Sequence, residues 1–354
     1  MTPNTGPRSL DEITAEWLST VLHTDIGAIA CTPIGTGQVG SNIRVTIANP
    51  DSVTGVPHSV VVKLPSPHDD SRAAAAAMNT YRREVGFYQH LTTLTAAPHP
   101  RCHHAELDDD GGFVLVLEDL ADATVGDQLA ACSPTRVRAM ITTAAALHAP
   151  TWANTDAVEV YDWVGRSTPD TIAMHAGVAG AVIDGFCGRY QGRLDDATLT
   201  AARWLVENYV DLDRTGGCPP CLVHGDFRLD NMLFRATDTG EHAILIDYQT
   251  VSIGSGPSDV AYLISTSLTP QERRRHESDL WQHYSESLAQ HGVTVNDTDY
   301  VAAQRLGTVS ALMMAIIASQ IVARTPRGDE MFALMAERGA AHMADHGLEP
   351  HATH

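Results

Sequence analysis

Apolar residues recur along this chain with two different periods, and the change from one to the other divides it. Leu10, Ile13, Trp17 and Val21 share one helix face. Ser9-Leu10-Asp11-Glu12 has the form of a capping box, so the pattern predicts an amphipathic helix over 9–23. Ile43, Val45 and Ile47 then alternate with polar residues, the period of a half-buried strand. After a turn-rich stretch at 49–57, residues 59–64 form a second apolar strand. Helical spacing returns from 72 to about 94. The run Asp108-Asp109-Asp110-Gly111-Gly112 is a turn leading into a strand over 113–117. Beyond residue 120 the helical period dominates, at about 133–149, 169–190, 196–210, 270–290, 297–323 and 328–346. Short apolar runs at 222–223, 232–234 and 243–246 interrupt it. The order predicts an α+β chain with a small strand-rich N-terminal part, 1–117, and a larger, mostly helical part, 118–354.

Composition narrows the partners. At 354 residues, 44% hydrophobic and 19% charged, the chain suits an enzyme-sized globular protein. A formal charge of −20 disfavours nucleic acid and anionic membrane surfaces. The polar start, Met1-Thr2-Pro3-Asn4-Thr5-Gly6, lacks a signal peptide's apolar core. The apolar stretch at 306–323 contains Ser310, Ser319 and Gln320 and suits a buried helix better than a membrane span. A cytoplasmic protein with reduced cysteines is expected, its oligomeric state open. Cys218-Pro219-Pro220-Cys221 has redox-motif spacing and His224 follows, but a Pro-rich turn entering a strand is the ordinary account.

One residue stands apart. Of 23 basic side chains 22 are arginine, and the single lysine is Lys63, inside the second apolar strand. A compact ammonium is not interchangeable with a planar guanidinium where one charge must reach a phosphate oxygen. Drift in an arginine-preferring composition would also leave one survivor, so Lys63 needs company. The company is Leu222-Val223-His224-Gly225-Asp226-Phe227-Arg228-Leu229-Asp230-Asn231, followed by the apolar run Ile244-Leu245-Ile246 ending in Asp247. A carboxylate and a carboxamide five residues apart, then a carboxylate at a strand end, suit phosphoryl transfer from a metal–nucleotide. Gly35-Thr36-Gly37-Gln38-Val39-Gly40 is weak as a motif. Its context favours a phosphate-covering hairpin over a dinucleotide fold, because a strand and not a helix follows. Backbone amides of 36–41 and the Ser41 hydroxyl could then reach phosphate oxygens.

His-Gly-Asp-x-x-x-x-Asn with the downstream Asp resembles the aminoglycoside phosphotransferase and choline-kinase-like superfamily, relatives of protein kinases that phosphorylate small molecules. Ile246-Asp247-Tyr248-Gln249, Ser258-Asp259-Val260-Ala261-Tyr262-Leu263 and Val116-Leu117-Glu118-Asp119-Leu120 resemble its ecdysteroid-kinase-like branch most closely. The resemblance implies a two-lobed, protein-kinase-like α+β fold, with a small antiparallel-sheet N-lobe, a hinge near 116–120 and a helical C-lobe. It implies an ATP- and Mg2+-dependent phosphotransferase acting on a hydroxyl of a small molecule. Asp226 would be the catalytic base or hydroxyl-orienting group, Asn231 and Asp247 the Mg2+ ligands. Lys63 would contact the α- and β-phosphates and Glu84 would hold it by an ion pair. Gly35, Gly37, Gly40 and Ser41 would cover the phosphates, and backbone groups near Glu118 and Leu120 would meet the adenine edge. His224 would fix the catalytic loop and Asp259 would brace it through backbone amides. Arg228, two residues after Asp226, is placed to stabilise charge on the transferring phosphoryl group, with a salt bridge to Asp230 as the alternative role.

The chain lacks His-Arg-Asp, Asp-Phe-Gly and Ala-Pro-Glu, which argues against a protein substrate. An aminoglycoside, a sterol-like alcohol, a sugar or an amino alcohol all remain open as acceptor, as does GTP as donor. Asp162, Asp184 and Asp195 could attract an aminated substrate, though a solvated acidic surface is the plainer reading. Met313-Met314 with Ile316-Ile317 reads as core. The rival class is a non-catalytic nucleotide-binding regulatory module of the same fold.

Overall fold

The computed structural model describes residues 6–35, 40–48, 56–108, 111–130, 132–212, 218–238 and 240–348. The chain forms two compact units. One comprises Met1–Thr93, His99–Asp122 and Asp247–Gln249; the other comprises Leu94–Pro98, Ala123–Ile246 and Thr250–His354.

The first unit is built on an antiparallel sheet of five strands, β1 (Ile29–Ile34), β2 (Gly40–Ile47), β3 (Ser59–Pro65), β4 (Cys102–Leu107) and β5 (Phe113–Glu118), in the order β1-β2-β3-β5-β4. Alternation on β2 buries Ile43, Val45 and Ile47 on one face. These join Val60, Val62, Leu64, Val114 and Val116, and Leu18 of α1 (Ala15–Leu22) packs into the same core. Lys63 lies in this otherwise apolar strand β3, paired across to Leu115 of β5. The capping box predicted at Ser9 does not form. Leu10–Glu12 is a single 3-10 turn and Ser9 makes no side-chain cap. Glu12 instead accepts from the Arg8 amide at 2.7 Å, and Thr14 Oγ1 caps α1 by accepting from Trp17 N at 3.1 Å. The helix expected over 72–94 is divided. α2 (Asp69–Ala77) ends at Met78, Asn79 turns left-handed at φ 55°, and α3 (Thr80–Gly86) runs into a π-helical turn at Phe87–Leu91.

The second unit carries β6 (Thr124–Val125), α4 (Pro134–His148), α5 (Asp156–Glu159), β7 (Gly165–Arg166), α6 (Pro169–Tyr190), α7 (Asp196–Asn208), β8 (Pro220–Val223), β9 (Met232–Thr237), β10 (Gly240–Leu245), β11 (Ser252–Ser255), α8 (Gly256–Ser267), α9 (Pro270–Gln290), α10 (Asp297–Gly307), α11 (Val309–Ile321) and α12 (Pro326–Asp345). Its strands form two small sheets, β10-β9-β6 and β7-β11-β8. The helix expected over 297–323 is α10 and α11, interrupted only at Thr308, which keeps helical dihedrals; Gly307 beside it packs close on α8, where a Cβ would meet Ala261 Cβ at 2.8 Å. By length and composition alone, Pro169–Tyr190 and Asp297–Ile321 could each span a membrane. In the fold, Leu312, Met313 and Ile316 of α11 are buried against α6, α7 and α12, as the core reading of that stretch expects.

Candidate active site

In the first unit, the Lys63 ammonium is held between two carboxylates. Its Nζ donates to Glu84 Oε1 at 2.7 Å and to Asp247 Oδ1 at 2.9 Å. The Lys63 and Glu84 side chains are 9% and 2% exposed, whereas Asp247 is 37% exposed. Burial disfavours the ammonium, but Asp247 and Glu84 outweigh it, and the lysine's pKa is raised above its ordinary value. Gly40 lies against this side chain: a Cβ there would meet Leu64 O at 2.9 Å and Lys63 Cε at 3.8 Å, so the close approach of β2 to β3 requires glycine. Asp247 adopts φ 67°, a left-handed backbone uncommon outside glycine and tolerated by a short polar side chain.

Two neighbours of Asp247 complete the arrangement and were not legible as site residues. Gln249 Nε2 donates to Glu84 Oε2 at 3.2 Å. The Tyr248 ring stacks on Phe87, centroids 3.4 Å apart and 8° from parallel. Asp247, Tyr248 and Gln249 are thereby each tied to β3, α3 or the turn after it. Their signal was adjacency to the acidic residue, but the partners lie far away in sequence.

The remaining residues predicted for nucleotide binding occupy the same sheet. Gly35, at φ 71°, follows β1, and Ser41, half-buried, is the second residue of β2. Gly37 lies outside the described residues. β1 and β2 pair antiparallel with Ile34 opposite Asn42, the hairpin that the alternation predicts. Glu118 ends β5; its amide donates to Arg101 O at 2.8 Å and its carboxylate accepts from Arg101 N at 3.1 Å. Leu120 is buried. Between them Asp119 accepts from Arg44 Nε and from Ser59 Oγ, both at 2.6 Å, fixing the chain after β5 to β2 and β3.

In the second unit, Asp226 sits in the loop after β8. Its Oδ1 accepts from Tyr262 Oη at 2.9 Å and from Arg228 Nε at 3.0 Å, and its Oδ2 accepts from Asn231 Nδ2 at 2.9 Å. Burial alone would push this carboxyl up. The Arg228 charge, with His224 and the Tyr262 hydroxyl, outweighs burial and holds it below its ordinary value. Asn231 Nδ2 also donates to Asp226 O at 2.8 Å, which leaves Oδ1 as the atom that can ligate. Arg228 pairs with both acids, its Nη1 donating to Asp230 Oδ2 at 2.9 Å. The alternative role named for it is therefore occupied together with the Asp226 contact. Asp230 Oδ1 in turn accepts from Arg327 Nη2 at 2.9 Å.

The loop backbone is fastened from beneath. Asp259 of α8 accepts from His224 N at 2.7 Å and Gly225 N at 3.0 Å. Gly225 is at φ 82°, and a Cβ would meet Thr250 O at 2.8 Å, so the loop requires glycine there. His224 Nε2 donates to Ile246 O at 3.0 Å while its Nδ1 accepts from the Asp226 amide at 3.3 Å. Ile246 N donates to Asn231 O at 3.1 Å. Behind Asp259, His148 Nε2 lies 3.2 Å from Oδ2 and its Nδ1 lies 2.7 Å from Tyr284 Oη, with all three side chains buried. Tyr262 and His148, like Tyr248 and Gln249, were missed by sequence reasoning, since nothing local marks their partners.

Three expectations lie outside these clusters. Asp195 caps α7 by accepting from Thr198 N at 2.8 Å, and Asp184 accepts from Arg203 at 2.7 Å, so both have structural partners. Cys218 and Cys221 are buried and free; burial pushes the Cys218 thiol up to about 12 and Cys221 well above its ordinary value, the opposite of a reactive pair.

Comparison with known proteins agrees with the resemblance. The model of the ecdysteroid kinase-like family matches residues 181–296, a stretch that holds Asp226, Asn231, Asp247 and Asp259. Acyl-CoA dehydrogenase family member 11 of Rattus norvegicus is 40% identical over 60 residues; the match spans 17% of this chain and 7% of that relative's length. Among solved structures, Plasmodium vivax ethanolamine kinase has a TM-score of 0.55 at 10% identity, covering 91% of this chain and 85% of its own. A wild-type aminoglycoside 2'-phosphotransferase-IIIa in complex with GDP has a TM-score of 0.54 at 15% identity, covering 92% and 98%. ADP-bound aminoglycoside phosphotransferase APH(2'')-Ib has a TM-score of 0.50 at 16% identity, covering 93% and 97%. The chain has the protein-kinase-like α+β fold of these structures, as the resemblance implies.

Proposed function

We propose that the protein is a small-molecule kinase that transfers the γ-phosphoryl group of ATP, with Mg2+, to a hydroxyl. The observation that carries this reading is the state of Asp226: half-buried, its pKa held low by Arg228, and held by three side-chain donors on a loop fixed by Asp259. A carboxylate so held can accept a hydrogen bond from an acceptor hydroxyl and orient its oxygen. Because its pKa is depressed, it takes the proton late, as a loose phosphoryl-transfer transition state allows. The bond formed is between the acceptor oxygen and the γ-phosphorus; the bond broken joins that phosphorus to the β–γ bridging oxygen.

Each unit carries one cation suited to a phosphate, Lys63 in the first and Arg228 in the second. Glu84 holds the ammonium, and a phosphate oxygen would take the place of Asp247 as its second partner. Arg228 offsets the charge of Asp226 and Asp230, so negative charge moving near their loop meets less repulsion. Each unit offers an oxygen donor of the hard type that suits Mg2+: the Asp247 carboxylate in the first and Asn231 Oδ1 in the second. When bound, Mg2+ supplies charge neutralisation on the phosphates. ADP and GDP stand in the names of two structural neighbours, so both purine donors belong in the trial.

The test is a screen of purified protein with ATP or GTP and Mg2+ against hydroxylated metabolites and aminoglycosides, read by mass spectrometry for an added phosphoryl group. A phosphorylated product that disappears with Asp226→Asn supports the proposal. Nucleotide binding without any product across the screen, unchanged by Asp226→Asn, supports the non-catalytic module instead.

A further inference from the structure

Helices α9 and α12 bring three ligand-type side chains to one point. His342 and His346, one turn apart on α12, both direct Nε2 at Glu277 Oε1 on α9, at 2.9 and 2.6 Å. The three ligand atoms lie within 4.8 Å of one another. Glu277 Oε2 accepts from Arg273 Nη1 at 2.6 Å, so that oxygen is engaged and Oε1 is the one turned to the imidazoles.

Proton bookkeeping behind His342 sharpens the arrangement. The Ser265 hydroxyl contacts His342 Nδ1 and also lies 2.7 Å from Ala261 O. It has one proton to give. When that proton goes to Ala261 O, Ser265 accepts from His342 Nδ1–H, and the Nε2 lone pair faces a carboxylate oxygen. A cation bound by both atoms turns that opposition into coordination. The Nδ1–H to Ser265 bond is then the outer-shell contact that metal-ligating histidines commonly make. The rival arrangement puts the Ser265 proton on Nδ1 and has each imidazole donate to Oε1, with no ion.

We propose that Glu277, His342 and His346 form a binding site for a divalent transition metal, zinc foremost. Two imidazoles and a carboxylate are a zinc-type donor set, unlike the all-oxygen groups expected to hold Mg2+. Glu277 and His346 also line an open cavity of about 760 Å³ with Trp281, Asp297 and Tyr300. The cavity gives an ion a path in and room for water as the remaining ligand. At zinc bond lengths of about 2.0–2.1 Å, tetrahedral ligand atoms lie roughly 3.3 Å apart. Binding therefore opens the cluster by about half an ångström, and His346, 26% exposed at the C-terminal end of α12, has the room to move. The site is separate from the catalytic loop: Arg228 touches Met331 on the same helix, and His342 lies about 17 Å further along it at 1.5 Å per residue.

The test uses the full chain, stripped with a chelator and titrated with Zn2+ against a chromophoric competitor. About one equivalent should bind with a micromolar or tighter Kd. His346→Ala and Glu277→Gln should each weaken it by about tenfold or more. Co2+ in place of zinc should give the visible bands of a four-coordinate ion without a thiolate charge-transfer band. Thermal unfolding in chelator establishes that both variants are folded. Absence of stoichiometric binding by the parent chain overturns the proposal, as does equal affinity in both variants, or a thiolate band. The cobalt spectrum of the parent chain decides the matter even if a variant fails to fold.

Discussion

Replacing Lys63 with Met removes the ammonium and leaves Glu84 2% exposed, with Gln249 as its remaining named donor. Asp247, 37% exposed, is resolvated. Leaving one partner of a buried ion pair charged and unpaired costs about 3–5 kcal/mol. Glu84 has a cheaper route, which is to take up a proton. From an ordinary value of 4.5, protonation at about pH 7 costs about 3.4 kcal/mol, at about 1.36 kcal/mol per pH unit. Burial already pushes this carboxyl up even beside Lys63, which favours that route. The expected loss is therefore about 3 kcal/mol near pH 7.

The sign of the pH dependence follows. In the variant, folded Glu84 binds its proton more tightly than the unfolded chain does. Its contribution to stability is fully present below about pH 4.5 and is lost as pH rises through the raised folded value. Lys63→Met should therefore recover relative to the parent on acidification, to a deficit of about 1.4 kcal/mol near pH 5.5. Lys63→Met/Glu84→Gln should show no such recovery. The two units can unfold separately, so urea unfolding is best read by hydrogen exchange in peptides covering β3 and α3. A deficit below about 0.5 kcal/mol near pH 7, or one that stays constant between pH 7 and 5.5, refutes this account of the pair.

Arg228→Gln should lower kcat more than it raises KM. It should also move the acidic limb of kcat upward, because the charge that depresses the Asp226 carboxyl is gone; an unmoved limb and unchanged kcat would contradict both roles. Tyr262→Phe removes one of the donors on Asp226 Oδ1 and should cost about tenfold in kcat with the nucleotide KM unchanged, measured by coupled ADP release. Asp259→Asn presents an amide to loop N–H groups that both require an acceptor, and a loss of about 2–4 kcal/mol in urea unfolding is expected. Cys218 and Cys221 should resist iodoacetamide in the native protein at about pH 8 and react on unfolding, followed by peptide mass mapping; fast native labelling would restore the redox reading of Cys-Pro-Pro-Cys.

The sequence shows the site where chemistry is local and hides it where the fold supplies the partner. Asp226, Asn231 and Asp247 are legible because their spacing is set by a short loop and a strand end. Lys63 is legible because composition isolates it, and Glu84 only through the family resemblance, which pairs the strand lysine with a helix carboxylate. Gln249 reaches Glu84 across 165 residues, His148 reaches Asp259 across 111, and Tyr262 reaches Asp226 across 36. No local pattern encodes those distances. The helix breaks were half-visible. Asn79 is a poor helix residue that tolerates the left-handed region, and Gly307-Thr308 joins two weak helix formers. The helical period on either side of each obscured the interruption.

Tyr284 and His148, which no local pattern marks, act together with the expected brace Asp259. Tyr284, His148 and Asp259 form a buried chain of hydrogen bonds ending on two backbone amides of the Asp226 loop. Gly256 sits where a Cβ would meet Tyr284 Oη at 2.6 Å and His148 Nδ1 at 3.0 Å, so the chain closes only over a glycine. Such a network fixes dipoles before the reaction and leaves little reorganisation for the reacting step. Asp226 is correspondingly a weak base: Arg228 holds its pKa down. A weak base on a rigid mount contributes position more than proton affinity. Substitutions that keep the carboxylate but loosen its mount, such as Tyr262→Phe or Asp259→Asn, should therefore lower turnover even where the charge at Asp226 is unchanged.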